Sequence, residues 1–277
     1  MDLMRLRVGA RFSLRSPQET AAVFVIRPQA GGTVSVLDER WTSAPNVRFH
    51  DYADMYGNVC RRLTLPQGPY ELDYEALVQT TDELDPYAPQ ARECPAAELP
   101  DDALVYTLPS RYCLSDVLFP QAQEFFGGVS PGWNRVQAIC DFVNGHVRFQ
   151  YGTSTPTTTA LDVYEAGCGV CRDYAHLAIA FCRALNVPAR YAFGYLPDID
   201  VPPPYAPMDF CAWFEAYLDG EWWMFDPRNN VRRRGRVTIA RGRDALDVAM
   251  LTTYGSSGLE AMSVVAEPAE ANVRAFV

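Results

Sequence analysis

Short runs of β-forming residues occupy the first part of the chain, with polar and apolar positions alternating over Leu6–Leu14 and further runs at Ala22–Ile26 and Thr33–Leu37. Arg27-Pro28, Gly31-Gly32 and Pro66-Gln67-Gly68-Pro69 separate them as turns. No helical period interrupts this pattern before about Thr80, which predicts an N-terminal β-sandwich over residues 1–80. Residues 81–112 turn acidic and proline-rich, as in Asp85-Pro86-Tyr87-Ala88-Pro89, and predict a linker laid along the surface. From 113 to 277 the pattern is that of a second unit with a C-terminal extension.

Within that second unit the period becomes helical. Ser130-Pro131 supplies an N-cap and a first-turn proline for a helix with Val136, Ile139, Cys140 and Val143 inward, ending near Asn144-Gly145. Val147–Tyr151 then alternates as a strand, and Cys171–Leu185 forms a helix with Tyr174, Leu177, Ala178, Phe181, Cys182 and Leu185 on one side. Ala189–Tyr195 reads as a strand. Phe210–Leu218 and Glu221–Asp226 read as a hairpin about Asp219-Gly220. A two-residue turn there sets Leu218 opposite Glu221, Trp213 opposite Asp226 and Cys211 opposite Arg228, so residue 211 is a diagonal neighbour of Asp226 at about 7–8 Å. A further strand is expected at Val237–Ala240, and the remainder is weakly patterned. The class is therefore α+β.

The 277 residues include 48% hydrophobic side chains, enough for a packed core, and a net charge of −10. All 24 basic residues are arginine. This acidic balance argues against a nucleic-acid partner, which needs a cationic face, and the local cluster Arg232-Arg233-Arg234-Gly235-Arg236 reads as a solvated loop. No apolar run approaches the roughly 20 residues that cross a bilayer, so no membrane association is expected. Eight cysteines are dispersed along a chain too long to need disulfide staples, and Met1–Arg7 lacks the apolar stretch of a secretory signal. Reduced thiols in a cytoplasm are the expectation. No cofactor is expected, and the oligomeric state is not legible.

Cys171 stands between the glycine-bearing turn Ala166-Gly167-Cys168-Gly169-Val170 and a helix start, where free N–H groups and the helix dipole favour the thiolate. A structural, buried cysteine is the plain alternative. For Asp226 the plain alternative is a strand-end carboxylate paired with Arg228 or capping a turn.

The stretches Gly169-Val170-Cys171-Arg172-Asp173-Tyr174-Ala175-His176-Leu177, Leu185-Asn186-Val187-Pro188-Ala189-Arg190-Tyr191, Ala212-Trp213-Phe214-Glu215-Ala216-Tyr217-Leu218 and Phe225-Asp226-Pro227-Arg228 resemble the bacterial transglutaminase-like superfamily. The resemblance covers roughly residues 115–240, and Asp51–Asn58 resembles the β-rich domain that precedes this core in many bacterial members. It implies a papain-like core, with the cysteine-bearing helix packed on an antiparallel sheet, and a peptide or protein amide as substrate or ligand. It also implies Cys171 as nucleophile and Asp226 as third member of a triad. The second member departs: the family's histidine precedes Ala-Trp, and here that position is Cys211.

Of the three histidines, His176 is rotated by about 140° from Cys171 on the same helix and reads as a packed core residue. His146 ends the preceding helix, and His50 belongs to the N-terminal unit. A thiol at 211 cannot shuttle a proton as an imidazole does, so amide hydrolysis is expected to be impaired by roughly 10²–10⁴-fold, leaving a thiol suited to activated esters or thioesters. A binding protein without turnover stays open, as does a redox-sensitive Cys171/Cys211 pair. Cys168 and Cys171 form a C-x-x-C that adds redox or metal chemistry as a weaker alternative, without a second such pair to complete a zinc site. Gln150 or Tyr151 is the candidate oxyanion donor and Trp213 a candidate cleft residue. The stiff, acidic segment Pro197–Pro204 is either a cleft wall or a connector.

Overall fold

The computed structural model describes residues 2–202 and 207–269. Its strands are β1 (Leu3–Ser16), β2 (Thr20–Phe24), β3 (Ser35–Ala44), β4 (Phe49–Ala53), β5 (Val59–Leu65), β6 (Gly68–Thr81), β7 (Arg148–Phe149), β8 (Cys168–Gly169), β9 (Ala189–Tyr195), β10 (Cys211–Leu218), β11 (Glu221–Phe225), β12 (Val237–Gly242), β13 (Leu251–Thr253) and β14 (Gly258–Pro268). The helices are α1 (Asp101–Leu104), α2 (Phe119–Phe126), α3 (Trp133–His146), α4 (Ala160–Ala166) and α5 (Cys171–Ala184).

Two four-stranded antiparallel sheets, in the orders β14-β1-β6-β3 and β13-β2-β5-β4, are built on the N-terminal strands. Alternation along β1 buries Leu6, Val8, Phe12 and Leu14, and the Phe12 ring meets Phe24 of β2 edge-on at 5.5 Å, so the two sheets share a core. The expected C-terminal extension of the second unit is not an appendage of that unit alone: β13 pairs with β2 and β14 with β1. An unpaired 14-residue β1 edge would leave a row of free backbone groups, and β14 satisfies them from the other end of the chain.

The second unit carries a four-stranded antiparallel sheet in the order β11-β10-β9-β12. The β10–β11 register runs from Phe214 opposite Phe225 to Leu218 opposite Glu221, as the Asp219-Gly220 turn implies. Helix α5 packs on β9 and β10 and also against α2, α3 and α4. Asp173 through Ala184 are consequently all buried, so α5 is covered around its whole circumference rather than on one side, with Asp173, His176 and Arg183 among the buried side chains. Its alanines at 175, 178, 180 and 184 allow neighbours to approach from every direction.

Helix α3 begins at Trp133, later than Ser130-Pro131 suggested, because the Gly132 N–H donates to Glu93 Oε1 at 2.9 Å and the Trp133 N–H donates to the Ala91 carbonyl at 2.9 Å. The strand expected over residues 147–151 shrinks to β7, a two-residue parallel partner of β8. Residues 81–112 do run along the second unit, with bridges from Leu84 to Arg234 and from Glu93 to Leu218, but they also send Asp85 inward. The arginine cluster is correspondingly not a solvated loop: Arg233 and Arg236 are buried.

Candidate functional site

Gly169 lies so close to Asp173 that a Cβ there would meet the Asp173 Cβ at 2.8 Å. Glycine lets the buried Asp173 carboxylate turn back on the loop, where Oδ2 accepts from the Val170 N–H at 2.8 Å and Oδ1 accepts from the Ser154 hydroxyl at 3.0 Å. This acidic N-terminal cap fixes the approach to α5, whose first residue is Cys171. The Cys171 thiol donates to the Phe210 carbonyl at 3.8 Å, which ties the helix start to the entry of β10.

Cys171 and Cys211 both line one cavity of about 890 Å³. Gln150, Tyr151, Arg172, Asp209, Arg228 and Arg233 contribute to its walls, with Asp198, Val201 and Pro202 from the proline-rich loop. That loop is therefore a wall over its described part; Pro203 and Pro204 lie outside the described residues. Gln150 and Tyr151 reach the cavity, although the Gln150 Oε1 accepts from Arg148 Nη2 at 3.0 Å and the Tyr151 ring packs edge-on to Phe149. Trp213 does not reach it. It is fully buried beneath Cys211, among Ala192, Leu196 and Met224, with the Arg236 guanidinium 4.7 Å from its ring. It shares the face of Cys211 on β10 but stands two residues further along the strand, where it is covered on all sides.

The electrostatics differ from the helix-start expectation. Burial pushes the Cys171 thiol up, and the Ala212 N–H, the Arg228 guanidinium and the Arg172 N–H oppose that only in part. Burial also pushes the Cys211 thiol far up, with the Asp226 carboxylate and Cys171 adding to it. Cys211 is thus held protonated, its thiol donating to the Ala212 carbonyl at 3.8 Å.

Asp226 sits at the end of the hairpin, buried, and its carboxylate is fully engaged. Oδ1 accepts from the Asn229 N–H at 3.0 Å, and Oδ2 accepts from Asn229 Nδ2 at 2.7 Å and from Arg236 Nη2 at 3.0 Å. The same Arg236 Nη2 donates to Asp85 Oδ2 at 3.0 Å. Asp85, Arg236 and Asn229 are residues that sequence reasoning did not place near the site; only the arginine run hinted at one of them.

None of the three histidines lines the cavity. His176 is buried and stacked on Tyr112 at 5.1 Å, and its Nε2 accepts from the Ala245 N–H at 3.1 Å. His146 stacks between Phe142 and Tyr164, and exposed His50 stacks on Tyr52. Cys168, Cys171 and Cys211 are free thiols, and no group of three His, Cys, Asp or Glu among the described residues is placed to hold a metal.

Residues 121–227 match the core of the transglutaminase-like superfamily. A solved structure from Cytophaga hutchinsonii, described as a "putative cysteine protease", is similar over 100% of this chain and 94% of its own, with 30% identity and a TM-score of 0.89. An uncharacterized protein of Mycobacterium leprae is 26% identical over 249 residues, covering 87% of this chain and 89% of its own length. An uncharacterized protein of Mycobacterium tuberculosis is 35% identical over 113 residues, 37% of this chain and 36% of that protein.

Proposed function

The chain belongs to the transglutaminase-like superfamily, and on that premise we propose that it is an acyl-transferring thiol protein whose nucleophile is Cys171 and whose amide chemistry is crippled at position 211. The observation that carries this reading is the pairing of two thiols, and no imidazole, in the walls of one cavity at the start of α5.

In the first step the Cys171 thiol gives its proton to solvent water. The thiolate attacks the acyl carbon, the new C–S bond forms, and the bond to the leaving group breaks. A thiolate or phenolate departs with its electron pair and needs no proton. An amide nitrogen does need one, and Cys211, whose own proton is firmly held, is a poor donor. Water or an amine then attacks the thioester, loses its proton to solvent and releases the Cys171 thiolate. Asp226 would orient an imidazole at 211; here Arg236 and Asn229 occupy it.

The test is acylation by p-nitrophenyl acetate. A stoichiometric burst of p-nitrophenolate is expected from the native chain and none from Cys171→Ala; an equal burst from both removes the reading. Cys211→His is expected to raise peptide anilide hydrolysis at least tenfold, within the roughly 10²–10⁴-fold range of general acid–base catalysis. No gain would mean that position 211 is not the reason amides are spared.

A further inference from the structure

Three arginines line the cavity, and two of them are spoken for. Arg172 donates to Asp173, to Ser154 and to the Thr155 carbonyl, and Arg233 donates to the Pro197 carbonyl and pairs with Asp198 at 3.5 Å. Arg228 is different. Among the described residues its guanidinium donates no hydrogen bond and joins no ion pair; its Cζ lies over the Phe149 ring, 4.2 Å from the centroid. Its backbone is pinned, since its carbonyl accepts from Asn144 Nδ2 at 2.8 Å.

Two observations place this residue by the nucleophile. Arg228 lines the cavity together with Cys171 and Cys211, and the β7–β8 pairing puts Phe149, over which it lies, opposite Gly169, two residues before Cys171. Asp226 acts on this half-buried cation only from a distance, without an ion pair, so the guanidinium donors stay open for a ligand to supply an anion. Asp209 in the same cavity does not supply it as an ion pair; its Oδ1 accepts from the Phe210 N–H at 2.7 Å.

We propose that Arg228 binds a carboxylate on the acyl donor, so that this site takes acyl groups bearing a second, negatively charged carboxylate. The planar guanidinium, already stripped of other partners, offers a two-pronged match to that group. The specificity rests on the Cys171 acyl-transfer reading, but the anion site can be read without turnover. Iodoacetate and iodoacetamide differ in charge at the group that Arg228 would hold, and both alkylate Cys171 with loss of iodide.

The experiment measures alkylation of Cys171 by the two reagents on the full chain, using peptide mass mapping, in the native protein and in Arg228→Gln and Arg228→Lys. The iodoacetate to iodoacetamide rate ratio is expected to fall about tenfold in Arg228→Gln and to be largely kept in Arg228→Lys. Glutarate should also protect native Cys171 saturably from iodoacetamide, while glutaramide should not, a comparison that needs no variant to fold. A ratio unchanged by Arg228→Gln, or equal protection by both compounds, overturns the anion site. If the ratio shifts while p-nitrophenyl acetate gives no burst, the anion site stands and the acyl-transfer reading falls.

Discussion

Cys171 is governed by two influences of opposite sign. A helix start lowers a thiol's pKa by presenting N–H groups and the positive end of the dipole, while a closed cavity wall raises it by withholding water. Here desolvation prevails, and the thiol lies above its ordinary value in spite of the Ala212 and Arg172 N–H groups and Arg228. The thiolate fraction therefore keeps growing as pH rises past the ordinary thiol range near about 8.5. Stopped alkylation with iodoacetamide followed by mapping should show the Cys171 rate still climbing at pH 9. A plateau near pH 7 would mean that the helix start has won. Cys211, pushed further up by its burial and by Asp226, should remain unmodified throughout that range. The helix-start position of Cys171 was legible from Gly167, Gly169 and the helical period that follows; the sign of its shift was not, because it depends on Phe210, Asp209 and other cavity-lining residues about 40 positions later.

At the scale of elements, the hairpin and its exit loop show what local sequence can specify. Asp219-Gly220 takes positive φ at both turn residues, 49° and 85°, and so fixes the β10–β11 register from Leu218–Glu221 to Phe214–Phe225, after which Asp226 leaves the hairpin. Asn229 caps Asp226 locally, but the counter-ion of Asp226 is not local. Arg236 reaches it from ten residues on, and Asp85, 151 residues away in the connecting segment, shares the same guanidinium. No short-range pattern marks such a pairing, and a proline-rich acidic stretch reads as surface until a buried cation is found opposite it. Removing that cation leaves two carboxylates facing one another behind the site. Arg236→Met should cost about 3–5 kcal/mol in denaturant unfolding, the usual penalty for orphaning buried charge, and Asp85→Asn, which leaves a neutral acceptor for Arg236, about 1–3 kcal/mol. Equal, small losses from both changes would show that the trio is solvated in solution and does not brace Asp226.

On the scale of the whole molecule, the two units are joined by hydrogen bonds and a shared core. The Tyr195 hydroxyl donates to the Ile26 carbonyl at 2.9 Å, the Gln29 N–H donates to the Thr238 carbonyl at 2.9 Å, and Asn58 exchanges hydrogen bonds with the Arg241 backbone at 2.8 Å in both directions. A single buried cluster runs from Leu6 and Phe24 through α5 to Val264 and Ala266. The weakly patterned tail gave no sign of this, since β14 is largely exposed on one face and its burial of Val264 and Ala266 only makes sense once β1 lies beside it. Ending the chain after Ser257 would strip β1 of its partner from Leu6 to Arg15 and expose a long flat edge. Trp41 reports on the N-terminal sheets, and Trp133, Trp213, Trp222 and Trp223 report on the second unit. Variants that keep only one of these sets should therefore melt at the same temperature as each other in the full chain. Both transitions should move down together in the shortened chain, with concentration-dependent light scattering from the open edge. Two separate melting steps in the full chain, or a loss confined to the Trp41 signal on shortening, would show that the sheets and the thiol-bearing core unfold independently and that β14 braces only its neighbour.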